Sequence, residues 1–131
     1  MHVLLINGSP HEKGCTYTAL SLVAGELNAA DITTEILNVG TKPVGGCIGC
    51  GGCAKGNGCV FGGVVNEAIE KARTADAFVF GTPVHYASAS GNMTSFLDRL
   101  AYAGGKYLAY KPAAICASAR RAGTTTTLDQ L

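Results

Sequence analysis

The residues with the most distinctive chemistry are four cysteines in the middle of the chain. Cys47, Cys50, Cys53 and Cys59 fall within 13 residues, with two residues between each of the first three and five before the fourth. Four thiolates from one compact loop suit a cubane iron-sulfur cluster, because two-residue spacings let neighbouring sulfurs reach adjacent iron atoms. Interleaved glycines let the backbone turn tightly there. The spacing therefore predicts a metal or redox site on these four cysteines.

Other interpretations of these cysteines stay open. Structural zinc is less favoured, because zinc sites usually combine two separated cysteine pairs. Disulfides are less favoured in a reducing compartment, and the remaining possibility is a mobile loop that holds nothing. Cys15 and Cys116 lie apart from the other four and are expected to be small packing residues rather than ligands.

A second group of residues that could bind a ligand follows the first apolar run of the chain. Residues 8–16 form a loop that runs straight into a predicted helix and carries the hydroxyls of Ser9 and Thr16, with Thr18 one turn further. Backbone amides at a helix N-terminus, together with hydroxyls, favour a phosphate group. The chain contains neither G-x-G-x-x-G nor G-x-x-x-x-G-K-[ST], so neither a Rossmann dinucleotide site nor a Walker nucleotide triphosphatase is indicated.

Alternating strands and helices are needed to position these loops. Apolar runs predict strands at residues 2–6, 32–39, 77–81 and 112–118, and helical spacing predicts helices at residues 16–29, 64–74, 93–103 and 124–131. Strands that are apolar on both faces favour a parallel sheet covered on both sides. Ligands of such sheets bind at the carboxyl ends of the strands, so the loops at residues 8–16, 82–92 and 118–124 are expected to share one site. In the third helix, Asp98 and Arg99 are expected on the outer face, as structural residues or a dimer contact.

Length and composition limit the classes of protein that remain. A chain of 131 residues is one domain, and 47% hydrophobic against 15% charged residues excludes charge-driven disorder. The formal net charge of +1, with no basic segment, argues against nucleic-acid or anionic-membrane partners. No apolar run approaches the roughly 20 residues that a membrane span needs, and we expect a cytoplasmic protein.

Three separated motifs resemble one known family. The stretch INGSPHEKGCTYTAL is similar to the phosphate loop of flavodoxin-like, NAD(P)H-dependent FMN reductases. GTPVHYASASGNMTSFLDRL looks like the second flavin loop and following helix of that family, and SARRAGTTTT resembles its third flavin loop. The resemblance implies a doubly wound α/β fold with strand order 2-1-3-4-5. It also implies bound FMN reduced by NADH or NADPH, a small acceptor such as a quinone or free flavin, and a homodimer or higher oligomer.

The resemblance also assigns site residues to this chain. Ser9, Lys13, Thr16 and Thr18 would surround the FMN phosphate, Pro83, Val84, His85 and Tyr86 would lie along the flavin ring, and Ser118, Arg120 and Gly123 would close the other side. No catalytic acid or base is expected, because the cofactor carries the hydride chemistry.

The cysteine spacing resembles a branch of the same group, the iron-sulfur flavoproteins, which implies electron transfer between a 4Fe-4S cluster and FMN. A third possibility is a flavin- or metal-binding redox sensor without turnover. Members of the family generally continue through one more strand and helix. We therefore expect residues 1–131 to be a single FMN-binding domain truncated at its C-terminus.

Overall fold

The computed structural model describes all 131 residues, which form alternating strands and helices joined by loops. The strands are β1 (His2–Asn7), β2 (Thr33–Asn38), β3 (Ala77–His85), β4 (Ser88–Ala89) and β5 (Ala113–Ser118). The helices are α1 (Cys15–Ala29), α2 (Val64–Thr74), α3 (Gly91–Gly104) and α4 (Thr124–Gln130), with short 3-10 turns at Gly52–Lys55 and Gly105–Tyr107. No helix is long and apolar enough to span a bilayer.

Four of the strands form a parallel sheet in the order β2-β1-β3-β5. The order confirms the predicted 2-1-3-4 arrangement, since β5 is the fourth of the long strands. The short β4 was not predicted. It pairs antiparallel with the end of β3, opposite Val84 and His85.

The central strands β1 and β3 are covered on both faces, as their apolar sequences predict, whereas the edge strand β5 is largely exposed. On one face Leu4 and Ile6 of β1 pack with α2 and α3, whose Ile69 and Phe96 are buried. On the other face Val3 and Leu5 pack against α1. Because successive side chains of a strand point to opposite faces, one apolar run supplies both layers of the core. Both layers hold the carboxyl ends of the strands, and the loops that follow them, at one edge of the sheet.

Candidate functional site

The three predicted loops meet at the carboxyl edge of the sheet. The amide of Gly8 donates to the carbonyl of Gly81 over 2.8 Å, and the Ser90 hydroxyl donates to the carbonyl of Gly8 over 2.8 Å. A further hydrogen bond of 2.8 Å joins the hydroxyls of Thr16 and Ser118. These contacts span up to 102 residues of chain. The structure thus brings the loops that follow β1, β3 and β5 into one place.

The loop after β1 is shaped by the buried side chain of Asn7. Its amide donates to Asn38 over 2.8 Å, and its carbonyl oxygen accepts from the amide of Ser9 over 3.1 Å. Ser9 is itself buried, and its hydroxyl accepts from the amide of His11 over 3.1 Å. Lys13 is exposed beside this loop. Asn7 was not predicted as a site residue, although an Asn at the end of a buried strand is a signal for such a turn.

The N-terminus of α1 has free hydrogen-bond donors. No side chain caps the helix, its first turn contains no acidic residue, and the amides of Cys15, Thr16 and Tyr17 donate to no other group of the protein. Unpaired amides at the positive end of a 15-residue helix have the geometry and partial charge that suit an anion. The hydroxyl of Thr18 is turned back to the carbonyl of Gly14 at 3.2 Å.

The loop after β3 is partly a strand rather than the irregular segment predicted. Pro83, Val84 and His85 extend β3, and the chain reverses through Tyr86 and Ala87, which have φ values of 52° and 64°. Two successive non-glycine residues with positive φ are uncommon and strained. The antiparallel pairing with β4 sustains this turn, and it leaves the Tyr86 side chain fully exposed.

The loop after β5 packs against that turn. A Cβ on Gly123 would lie 2.7 Å from the Cα of Ala87, and its φ of 95° also favours glycine. The Thr126 hydroxyl donates to the carbonyl of Ala87 over 2.8 Å, which ties α4 to the same turn. Arg120 is exposed at the rim of this loop.

A cavity of about 380 Å³ opens between the first two loops and the start of α3. We call it the sheet-edge cavity. Val44 is the one hydrophobic residue of its lining, which consists of Gly8, Pro10, Val44, His85, Ser90, Gly91, Asn92 and Ser95. Of the predicted site residues only His85 lines it. The predicted phosphate residues belong to the same first loop and the start of α1 but do not line the cavity. Sequence reasoning missed Ser90, Asn92 and Ser95, although the helix-capping position of Ser90, which accepts from the amide of Met93, is a recognisable signal.

The segment after β2 also reaches this site, which the sequence did not indicate. A Cβ on Gly40 would lie 2.4 Å from the carbonyl oxygens of Gly8 and Ser9, so only glycine permits this approach. The Asn92 amide donates to the carbonyls of Gly40 and Lys42 over 2.9 and 3.0 Å, and its oxygen accepts from the amide of Val44 over 3.1 Å. Asn92 thereby fastens residues 40–44 beside the sheet-edge cavity.

The four clustered cysteines line one pocket of about 140 Å³, here named the cysteine pocket. All four thiols are free, and apolar side chains that include Ile48, Phe61 and Tyr102 complete the lining. No three His, Cys, Asp or Glu side chains stand close enough together to hold a single metal ion. A cluster distributes its thiolates over several iron atoms, so cysteines spread around one pocket suit a cluster better than a single zinc ion.

Arg99 contradicts the expectation that it lies on the outer face of its helix. It is only 7% exposed, because the cysteine loop, residues 45–63, folds over this side of α3. Its Nε donates to the Cys59 sulfur over 3.2 Å. Burial raises the pKa of the Cys59 thiol, but the Phe61 amide and the Arg99 guanidinium lower it by more, so the pKa lies below its ordinary value. Asp98 is exposed, as predicted.

Comparisons with known proteins agree with this geometry. The sequence model of a family described as NADPH-dependent FMN reductase matches residues 1–131. An iron-sulfur flavoprotein of Archaeoglobus fulgidus is 32% identical over 99 residues, which cover 76% of this chain and 48% of that protein. An iron-sulfur flavoprotein of Methanocaldococcus jannaschii is 29% identical over 99 residues, covering 76% and 51%. The chain thus spans about half the length of these curated relatives.

Solved structures share the fold at low sequence identity. An apo NADH:FMN oxidoreductase superposes with a TM-score of 0.71 at 22% identity, covering 98% of this chain and 63% of that one. An NAD(P)H:quinone oxidoreductase from Methanothermobacter marburgensis superposes with a TM-score of 0.72 at 20% identity, covering 93% and 65%. These neighbours confirm the flavodoxin-like architecture.

Proposed function

The chain belongs to the NADPH-dependent FMN reductase family, and from that premise we propose that it is an FMN-dependent oxidoreductase. It would take electrons from NADH or NADPH through FMN and pass them to a small acceptor such as a quinone or free flavin. One observation carries the proposal: three loops converge on an uncapped helix N-terminus beside the sheet-edge cavity.

The residues present fit FMN at both of its ends. Free amides at the start of α1, the buried Ser9 and the cation of Lys13 suit a phosphate dianion. Thr16 would add a hydroxyl while holding Ser118 in place, whereas Thr18 would donate to the phosphate only after releasing the carbonyl of Gly14. When bound, FMN supplies the hydride and electron chemistry, and the protein supplies position and polarity.

The remaining assigned residues would surround the flavin ring. Pro83, Val84, His85 and Tyr86 form the end of β3 and the turn after it, next to the sheet-edge cavity. Arg120 would bring a positive charge to the rim, and Gly123 keeps the third loop against the second. No side chain is assigned a role as catalytic acid or base.

The second candidate function is an iron-sulfur flavoprotein that passes electrons between a 4Fe-4S cluster and FMN. The observation that favours it is the cysteine pocket, where Cys47, Cys50, Cys53 and Cys59 are all free and face one space. The names of the curated relatives support it as well. The protein would then carry two redox groups in separate places.

A visible absorbance spectrum of protein purified without air tests both functions. We expect flavin bands after FMN is added and bleaching of those bands after NADPH is added. Turnover of NADPH with a quinone separates an enzyme from a flavin-binding module. A broad additional absorbance with iron and sulfide in equal amounts supports the cluster, and protein that binds no FMN refutes the first proposal.

We also propose a domain organisation, a cellular location and an oligomeric state for the protein. We expect a single domain at residues 1–131, a cytoplasmic location consistent with six free cysteines, and a homodimer or higher homo-oligomer. Neither nucleic acid nor a membrane is expected as a partner, and size-exclusion chromatography with light scattering measures the assembly.

A further inference from the structure

Arg99 directs all its hydrogen bonds to the cysteine loop. Its Nε donates to the Cys59 sulfur over 3.2 Å, Nη1 to the carbonyl of Gly45 over 3.3 Å, and Nη2 to the carbonyl of Gly62 over 2.9 Å. Gly45 precedes the first cysteine of the loop and Gly62 follows the last. One side chain of α3 therefore holds both ends of the loop and one of its four thiols.

The cysteine loop has few other means of keeping its shape. The 3-10 turn Gly52–Lys55 is its only regular structure. Apart from Arg99, the side-chain hydrogen bonds that fix it to the helices come from Asn66, whose oxygen accepts from the Cys59 amide over 2.8 Å and whose amide donates to the Cys59 carbonyl over 3.0 Å. Asn66 thus holds the backbone of Cys59, and Arg99 holds its sulfur.

The charge of Arg99 has no anionic partner among the carboxylates. None of the ion pairs in the protein includes it, and its neighbour Asp98 is exposed on another side of the helix. The guanidinium instead faces neutral carbonyls, a sulfur, and the Phe61 ring centroid 5.7 Å from Cζ. A buried cation is costly unless it is paired. The cysteine pocket that Arg99 lines is therefore suited to an anionic occupant.

We propose that Arg99 is a positioning residue for an iron-sulfur cluster, holding the cysteine loop closed and placing a buried positive charge beside the thiolate ligands. This inference rests on the second candidate function. Net charge and hydrogen bonds to sulfur set the potential of such clusters. A cation beside the site stabilises the more negative, reduced form, so Arg99 raises the reduction potential of the cluster.

The experiment uses Arg99→Gln, Arg99→Lys and a matched charge control, Lys55→Gln. Lys55 lies in the same loop, but its side chain is exposed, so its charge is screened by water. Each full-length protein is reconstituted anaerobically with ferrous iron and inorganic sulfide, and the midpoint potential of the cluster is measured by EPR-monitored titration. Hydrogen exchange of the protein without iron measures how well ordered the cysteine loop and the sheet are.

We expect Arg99→Gln to shift the midpoint potential to a more negative value, beyond any shift in Lys55→Gln. Arg99→Lys should restore part of the potential but not the slow exchange of the loop, since a lysine cannot reach two carbonyls and a sulfur with a planar fork. Unchanged sheet exchange and FMN binding show that the variants are folded.

Three results overturn the inference in distinguishable ways. Equal cluster midpoint potentials in the wild type and Arg99→Gln refute the electrostatic role of Arg99 and leave the second candidate function standing. Unchanged loop exchange in both Arg99 variants refutes its role in holding the loop. A wild-type protein that takes up no iron and sulfide refutes the second candidate function together with this inference, whereas the FMN reductase proposal is judged separately by flavin binding.

Discussion

Ser9 is the residue on which the phosphate assignment can be tested most directly. Its hydroxyl is buried against the loop beside the free amides of α1. A hydrogen bond to a charged group contributes about 1.5–3 kcal/mol, so Ser9→Ala should weaken FMN binding by about tenfold or more. Riboflavin, which lacks the phosphate, should bind both proteins equally. Fluorescence titration with each flavin measures the two affinities.

Ser21→Ala is the matched control for that experiment. The Ser21 hydroxyl is buried in α1 without a hydrogen-bond partner. Its removal should leave FMN affinity unchanged. Equal FMN affinity in Ser9→Ala and the wild type would contradict the phosphate assignment of the first loop.

Cys116 gives a prediction about pH. Burial raises the pKa of its thiol, and the thiolate is the form that reacts with iodoacetamide. The rise of its alkylation rate with pH should therefore be displaced to higher pH in the folded protein than in urea. Because the unfolded chain loses this proton first as pH rises, the thiol also lowers stability above its ordinary pKa. Mass spectrometry of the Cys116 peptide measures the rate, and the same pH profile in the folded protein and in urea would contradict the explanation by burial.

At the scale of elements, α3 connects the two candidate sites. Asn92 in its first turn fastens residues 40–44 beside the sheet-edge cavity, and Arg99 fastens the cysteine loop. Seven residues of helix separate them by about 10 Å along the axis. Two anchoring residues on one rigid helix fix the position of one loop relative to the other.

Asn92→Ala should loosen the first of these anchors. Its side chain makes three hydrogen bonds to residues 40–44, and their loss should lower the free energy of unfolding by about 1–3 kcal/mol. Hydrogen exchange at residues 40–44 should accelerate while exchange in β1 stays slow. Asn92→Asp keeps the acceptor for Val44 but loses both donors, so it should fall between the wild type and Asn92→Ala. Urea denaturation of the three proteins measures the order, and equal stability would exclude the anchoring role.

The elements were predictable because their signals are local. Apolar runs and helical spacing located every long strand and helix to within a few residues, and α2 was predicted with its observed bounds. The extension of β3 was missed because the Gly-Thr-Pro sequence at residues 81–83 is typical of a turn. Residues 82–85 are strand only because they pair with β4 and β5. The prediction that Arg99 lies on the outer face was wrong because helical periodicity describes a single helix. Such periodicity contains no information about a distant loop that folds over the polar face of that helix.

The candidate site was predictable to a different degree. Parallel strands imply that their loops meet, and the resemblance of three motifs to flavin loops named the residues. Asn92 and Gly40 carry no comparable signal, because their roles depend on how residues 40–44 cross the end of the sheet. A hydrogen bond between residues 52 positions apart follows from the topology rather than from local sequence.

At the scale of the whole molecule, the two candidate sites lie on one framework without sharing a lining residue. The sheet-edge cavity is built by the strand ends and the start of α3, whereas the cysteine pocket is built by the cysteine loop and the later turns of α3. Changes in one site should therefore leave binding at the other intact. Electron transfer between the two groups would then depend on their separation, which α3 maintains.

Cys50→Ser tests this independence. The substitution removes one thiolate from the cysteine pocket, so iron and sulfide uptake should be lost, whereas FMN affinity and NADPH-dependent bleaching of the flavin should persist because the phosphate loop and β3 are untouched. Cys116→Ala, which removes a thiol outside both the cysteine loop and the phosphate loop, should retain both groups. Iron and sulfide analysis with flavin titration measures them separately. Loss of FMN together with the cluster in Cys50→Ser alone would mean that the cysteine loop is part of the flavin site, and that α3 supports one continuous site rather than two.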